Sequence, residues 1–320
     1  MNLLDCLIEG LLAIPAPGIW TTKIIPGLRS FGVIESDALL NNLHSILYIT
    51  AFYHLVFLLS AWFLFPGISQ RKIDCLLAEE KEKEIKVEHK YSRTQRAKSL
   101  SNQAALHLVS FLQTIIVLYL SISFLISHER SVIPYPDPES RIFGETRETR
   151  VICIFAIGYF IWDALISSVY STLPFVMHGV VSTAMYAIGI KPYLQYYAPV
   201  FLIFELSNPF LNIRWFALKY LPSENHLCSR FQLFNNLIFL VTFFLGRIAW
   251  GWYQIGCLCY DFYMVSADPR YLYWDSLIIV AGNLVLDVLN AYWFKTMVCV
   301  AIKAIKGGAQ KKHDDVKKAC

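Results

Sequence analysis

The chain has 320 residues, of which 56% are hydrophobic and 15% aromatic while only 16% carry charge, and its mean hydropathy is +0.46. A soluble domain has about a quarter charged residues, so this composition excludes one and points to a membrane protein. The net charge of +4 arises from loops and tail rather than from a basic face, which argues against a nucleic-acid partner.

The first 43 residues hold a short apolar stretch, LIEGLLAI, interrupted by Glu9 and preceded by Asp5. Without a basic leading region it reads as a luminal or interfacial segment rather than a signal peptide. Apolar runs able to cross a bilayer, at about 20 residues each, follow at 44–65, 105–126, 151–170, 174–190, 193–213, 232–253 and 272–298. The predicted fold is therefore an all-α membrane protein of about seven transmembrane helices. The turn at Ser171 to Pro174 joins two of them, with Pro174 suited to a helix's first turn.

Counting Lys and Arg by side gives 18 in the segment 66–104, the loop after the fifth run and the tail 301–320, against 8 on the other side. The richer side is expected to be cytosolic, and the N-terminus to lie opposite. Glu79 to Lys98 mixes acids and bases at helical spacing, as in Glu82 and Lys86, and reads as a solvated helical linker or a partner-binding segment. The Pro-rich SVIPYPDPES is expected to be an extended luminal loop, and no internal repeat or low-complexity tract is evident. The eight cysteines lack metal-ligand spacing: Cys257 and Cys259 can remain thiols or oxidise with Cys6, while Cys75 and Cys320 are open to acylation. Lys317 and Lys318 resemble the dilysine signal by which coat proteins retrieve membrane proteins to the endoplasmic reticulum, the alternative being an ordinary basic tail.

Polar groups within the apolar runs are the candidate functional residues, because each needs a partner, a cavity or the interface. The run APVFLIFELSNPFLNIRWFAL, Ala198 to Leu218, keeps Glu205, Asn208, Asn212 and Arg214. Counted at 1.5 Å per residue, Asp163, His178, Glu205, Asn208, Asn235 and Asn236 converge roughly 6–10 Å deep on the cytosolic side. Asn283, Asp287 and Asn290, at i, i+4 and i+7, form one helix stripe expected to face inward. Arg247 falls in the luminal half of the sixth run, with Asp275 or Asn283 as expected partner, and Lys295 is placed to snorkel. Any of these amides and acids can serve simply as interhelical adhesive. His178 can act as base or nucleophile, or be a satisfied hydrogen bonder; a metal site is not indicated.

GYFIWD (Gly158 to Asp163), Met177 and His178 fifteen residues after the Asp, FELSNPFLNIRWF (Phe204 to Phe216) and NAYWFKTMV (Asn290 to Val298) together resemble the TLC-domain family, which includes the ceramide synthases. The likeness covers about residues 44–300 and is closest to the less-characterised, non-synthase branch. It implies a six-helix barrel (residues 105–300) around a lipid-accessible cavity, with the first span outside it. In the synthases adjacent histidines transfer an acyl group from acyl-CoA; here His178 is followed by Gly179. The resemblance also implies Glu205 and Asn208 in the cavity wall and Asn212 and Arg214 at the cytosolic headgroup level. Three readings follow: a protein of the endoplasmic reticulum that binds acyl chains and serves lipid homeostasis; an acyl-CoA-dependent acyltransferase using His178, oriented by Asp163 or Glu205; and a cargo receptor or chaperone-like protein. No cofactor is expected beyond acyl-CoA as a substrate.

Overall fold

The computed structural model describes residues 2–31, 36–82, 91–130, 135–222 and 225–319, with the side chains of 128–130 and 304–319 left aside. Part of the charged linker (83–90), part of the Pro-rich loop (131–134) and the side chains of Lys317 and Lys318 therefore lie outside the described residues.

The chain is helical. An N-terminal helix, α1 (Leu3–Leu12), starts with a capping box in which Asn2 and Asp5 bond each other's backbone N–H. It docks through buried Ile8 and a Glu9–Arg147 ion pair at 2.6 Å. Then come α2 (Asp37–Leu59), α3 (Pro66–Glu82), α4 (Arg93–Arg130), α5 (Arg147–Tyr170) and α6 (Leu173–Gly189). After these the chain forms α7 (Tyr197–Leu202), α8 (Asn208–Tyr220), α9 (His226–Phe243), α10 (Trp250–Val265) and α11 (Tyr273–Ala319). Among the described residues five helical stretches are long and apolar enough to cross a bilayer: Asp37–Leu64, Arg93–Ser127, Arg147–Tyr170, His226–Val265 and Tyr273–Lys303. The apolar α6 is shorter, and Pro174 sits in its first turn as expected.

Two expectations about the spans change. The run 193–213 is not one helix: α7 ends at Leu202, residues Ile203–Ser207 form a 3-10 turn, and α8 begins at Asn208. Pro209 has no N–H for the Glu205 carbonyl four residues back, and the Asn208 N–H closes on Glu205 O instead. The run 232–253 belongs to a continuous helix from His226 to Val265, started by Asn225, whose side chain accepts from the Leu227 and Cys228 N–H groups. Within it Phe244–Ala249 form a π turn.

Helices meet where small residues allow close approach. Gly158 of α5 lies under Ile49 of α2, so close that a Cβ there would stand 2.7 Å from the Ile49 Cγ2. Thr50 Oγ1 donates to Gly158 O at 2.9 Å across the same contact. Ile46, Ile49 and Tyr53 of α2 are fully buried against α4 and α5. At the end of the bundle where α2 gives way to α3, Ser69 and Tyr220 hydroxyls lie 3.0 Å apart. At the opposite end Arg141 forks onto Asp261 at 2.6 and 2.7 Å, and Lys191 pairs with Asp275 at 2.8 Å. Cys6, Cys257 and Cys259 are free thiols, so the pairing considered for them is not formed.

Gly179 of α6 packs on α5, where a Cβ would fall 2.8 Å from the Ala164 backbone nitrogen. We expect Gly179→Ala to lower the thermal unfolding temperature in detergent by the equivalent of about 1–3 kcal/mol, because backbone must move to admit it. Gly256→Ala, at an open position within α10, should not lower it and by helix propensity should raise it slightly; equal losses in the two variants would contradict this packing.

Candidate functional site

Around the 3-10 turn between α7 and α8, backbone carbonyls accept hydrogen bonds from side chains in three places. Tyr186 of α6 donates its hydroxyl to Ala198 O at 3.3 Å, and Trp250 Nε1 donates to Val200 O at 3.0 Å. Arg247 Nε donates to Phe204 O at 2.9 Å.

Arg247 stands in the π turn, which faces the 3-10 turn so closely that a Cβ on Gly246 would be 3.4 Å from Ile203 O. Its side chain is 5% exposed, as is nearly that of its ion-pair partner Glu205 at 6%, with 3.5 Å between them. Its Nη2 reaches Asn208 Oδ1 at 2.9 Å and its Nη1 Asn290 Oδ1 at 3.2 Å, while Nε is shared with Ser207 Oγ at 3.3 Å. Glu205 also accepts from Asn208 Nδ2 and from Thr114 Oγ1 of α4 at 3.4 Å. Five helical segments, α4, the 3-10 turn, α8, the π turn and α11, thus converge on one compensated ion pair. The expected partners of Arg247 do not apply: Asp275 is engaged by Lys191, and Asn283 donates to Ile279 O at 2.9 Å. The apolar helix begins at His226 rather than 232, which brings position 247 to its middle, at the level of Glu205.

A second polar group lies next along α8. Asn212 is 1% exposed; its Oδ1 is 2.7 Å from His107 Nδ1, and its Nδ2 donates to Ser110 Oγ at 3.2 Å and Asn208 O at 3.0 Å. Trp215 stacks on His107 at 4.4 Å. Asn212 is therefore buried within the bundle, while Arg214 beside it is half-exposed. His107, Ser110 and Thr114 were not singled out from the sequence, although their spacing of i, i+3 and i+7 within an apolar run marks one polar helix face.

Beside this network runs a slender cavity bounded by α6, α7, the 3-10 turn, α10 and α11. Its volume is about 60 Å³, well under the roughly 300–1,000 Å³ of pockets that enclose a drug-sized ligand, so the space is a narrow slot. Phe160, Met185, Leu194, Phe201, Leu258, Ile279 and Leu286 give it apolar walls, interrupted by His178, Ser182, Glu205 and Asn283.

The other sequence-named residues fall around it. His178 lines the cavity with its ring edge-on to Phe160 at 5.7 Å and Trp293 at 5.8 Å, and hydrogen-bonds neither Asp163 nor Glu205. Asp163 has Ser167 Oγ as its partner, at 3.5 Å. Asn235 Nδ2 donates to Phe210 O at 2.9 Å, fastening α9 to α8. Asn283, Asp287 and Asn290 are 1%, 1% and 2% exposed, so the stripe does face inward. Asp287 lies against Gly251, 3.5 Å from where a Cβ would stand, and its carboxylate oxygens have no hydrogen-bond partner among the described residues. Lys295 is exposed, as snorkelling requires. Among the described residues no cluster of three or more His, Cys, Asp or Glu is arranged to hold a metal. A nucleophile or base normally has a third group that orients it, and His178 has none; what the site offers is an apolar slot with a neutralised polar wall.

We expect Arg247→Met to destabilise the protein by about 3–5 kcal/mol in reversible unfolding, since it strands the buried Glu205 carboxylate. Arg247→Lys keeps the charge but not the fork of donors and should fall between. Wild-type stability in Arg247→Met would contradict the role of the pair.

A TLC domain model matches residues 103–299 of the chain. An uncharacterised TLC domain-containing protein of Saccharomyces cerevisiae is 51% identical over 305 residues, covering 93% of this chain and 96% of that one. Topoisomerase I damage affected protein 4 of the same yeast is 27% identical over 89% of this chain and 93% of its own length. The human TLC domain-containing protein 4 is 32% identical over 178 residues, 53% of this chain and 65% of the human one. No solved structure matches significantly. The domain match spans more than half of the chain and the yeast relative nearly all of it, so the protein belongs to the TLC-domain family of membrane proteins.

Proposed function

We propose that this protein binds a lipid acyl chain in the cavity beside α6 and, as a membrane protein of the endoplasmic reticulum, takes part in membrane lipid homeostasis. The observation that carries the proposal is the cavity itself: slender, apolar along its length, and bordered at one side by the Glu205–Arg247 pair. An alkyl chain suits such a slot, and its burial is favourable in proportion to its area. The six-helix barrel and the cytosolic tail, with Lys317 and Lys318 read by coat proteins, are parts of the same reading.

His178 is a wall residue in this account. A second reading, acyl transfer from acyl-CoA, draws on the one observation that the imidazole faces the cavity without a hydrogen-bond partner. It lacks an orienting acid, and Gly179 cannot become the synthases' second histidine without displacing α5.

Lipids co-purifying in mild detergent, identified by mass spectrometry, separate the two. We expect a bound acyl lipid in the wild type and in His178→Ala, at least tenfold less in Met185→Trp, which fills the slot, and no adduct after incubation with acyl-CoA. An acyl adduct that depends on His178 would establish the transferase instead. An empty wild type whose lipid content Met185→Trp does not change would remove the acyl-chain reading.

A further inference from the structure

Three groups on the cavity wall take no part in the network behind it. Ser182 is 2% exposed and Asn283 1%, yet Ser182 Oγ and Asn283 Oδ1 accept or donate no hydrogen bond among the described residues, Asn283 committing only its Nδ2–H to Ile279 O. His178 meets only ring edges. His178 and Ser182 are one turn apart on α6, and Gly282 beside Asn283 packs on Val181 and Met185 of the same helix, a Cβ there coming within 2.8 Å of Met185 Sδ. All three line the same cavity. Most buried polar atoms in folded proteins are paired, and leaving them unpaired is unfavourable, so this grouping calls for a partner that enters the cavity.

The chemistry of that partner follows from what the wall can and cannot do. A neutral imidazole offers one donor and one acceptor, a serine hydroxyl offers both, and the asparagine carbonyl accepts. No Lys or Arg lines the cavity, and its one carboxylate, Glu205, is already engaged by Arg247, Asn208 and Thr114. A phosphate or carboxylate head group would be buried without a counter-charge, which is strongly unfavourable; an alcohol would find an acceptor and a donor. From His178 to Gly189 the wall follows α6 for about 16 Å, enough for a single extended chain.

Resting on the acyl-chain reading above, we propose that the occupant is an uncharged single-chain lipid with a hydroxyl head. The hydroxyl bonds to Ser182, Asn283 and His178, and the chain runs along α6 toward Gly189 and Leu194.

The test compares four ligands of equal chain length on delipidated wild-type protein in detergent: hexadecane, 1-hexadecanol, palmitate at neutral pH and palmitoyl-lysophosphatidylcholine, each scored by competition with a fluorescent alkyl probe. Hexadecanol should bind about tenfold more tightly than any of the other three, the size of effect that one to two net hydrogen bonds give. Ser182→Ala combined with Asn283→Ala should erase the advantage, read as the ratio of hexadecanol to hexadecane affinity in the same protein. Ser182→Ala alone, which removes one oxygen, should reduce it in part and stands in if the double variant unfolds. Palmitate or the lysophospholipid binding as well as the alcohol would overturn the head-group assignment while the chain site stands. Failure of all four, hexadecane included, would overturn the chain site and this inference with it.

Discussion

Arg247 gives up its hydration to enter an apolar bundle, and a charge so placed is tolerated only with an opposite charge and a full set of acceptors around it. Glu205 supplies the charge, and Phe204 O, Ser207, Asn208 and Asn290 supply the acceptors. Most of these come from the break between α7 and α8, so the irregular backbone and the buried cation account for each other. The 3-10 turn shifts the backbone bonds from i+4 to i+3, and the π turn carries the guanidinium to the Phe204 carbonyl. With Tyr186 and Trp250 serving Ala198 and Val200, the broken segment is fastened to its neighbours through its own backbone.

That fastening produces the cavity. A straight helix packed by side chains alone could close on α6 and α11, whereas α7 and the 3-10 turn are held by polar ties to α6, the π turn and α10. The slot between them is left to whatever apolar molecule fits. The contact of α5 with α6 through Gly179 and Ala164, and of α11 with α6 through Gly282, sets its other walls. The chemistry on offer is correspondingly limited: one compensated ion pair at the side, one imidazole without an orienting acid, and two buried polar atoms awaiting a partner.

Much of the bundle was legible in the sequence, since hydrocarbon demands apolar runs of a fixed length and Pro174 and the Asn283–Asp287–Asn290 spacing are local signals. Glu205 and Asn208 stood out for the same reason, as polar residues in a greasy run. The pairing of Arg247 was not legible: a 40-residue apolar helix, His226–Val265, has no sequence feature that fixes its level against its neighbours, and a π turn shifts its face. Nor was the 3-10 turn at Ile203–Ser207, which is tied to an arginine about forty residues onward. The burial of Asn212 depends on His107 and Ser110 of α4, which hydropathy alone presents as part of an ordinary span.

The claim on which the account rests is that an alkyl chain occupies the cavity beside α6 rather than merely the surrounding detergent or bilayer. Photo-crosslinking with a diazirine-bearing alkyl lipid, mapped by peptide mass spectrometry, addresses it directly. The account predicts adducts on Met185, Tyr186, Leu258 and Leu286, which line the slot. Adducts confined to exposed residues of the outer surface, such as Leu233, Phe234 and Leu237, would contradict it.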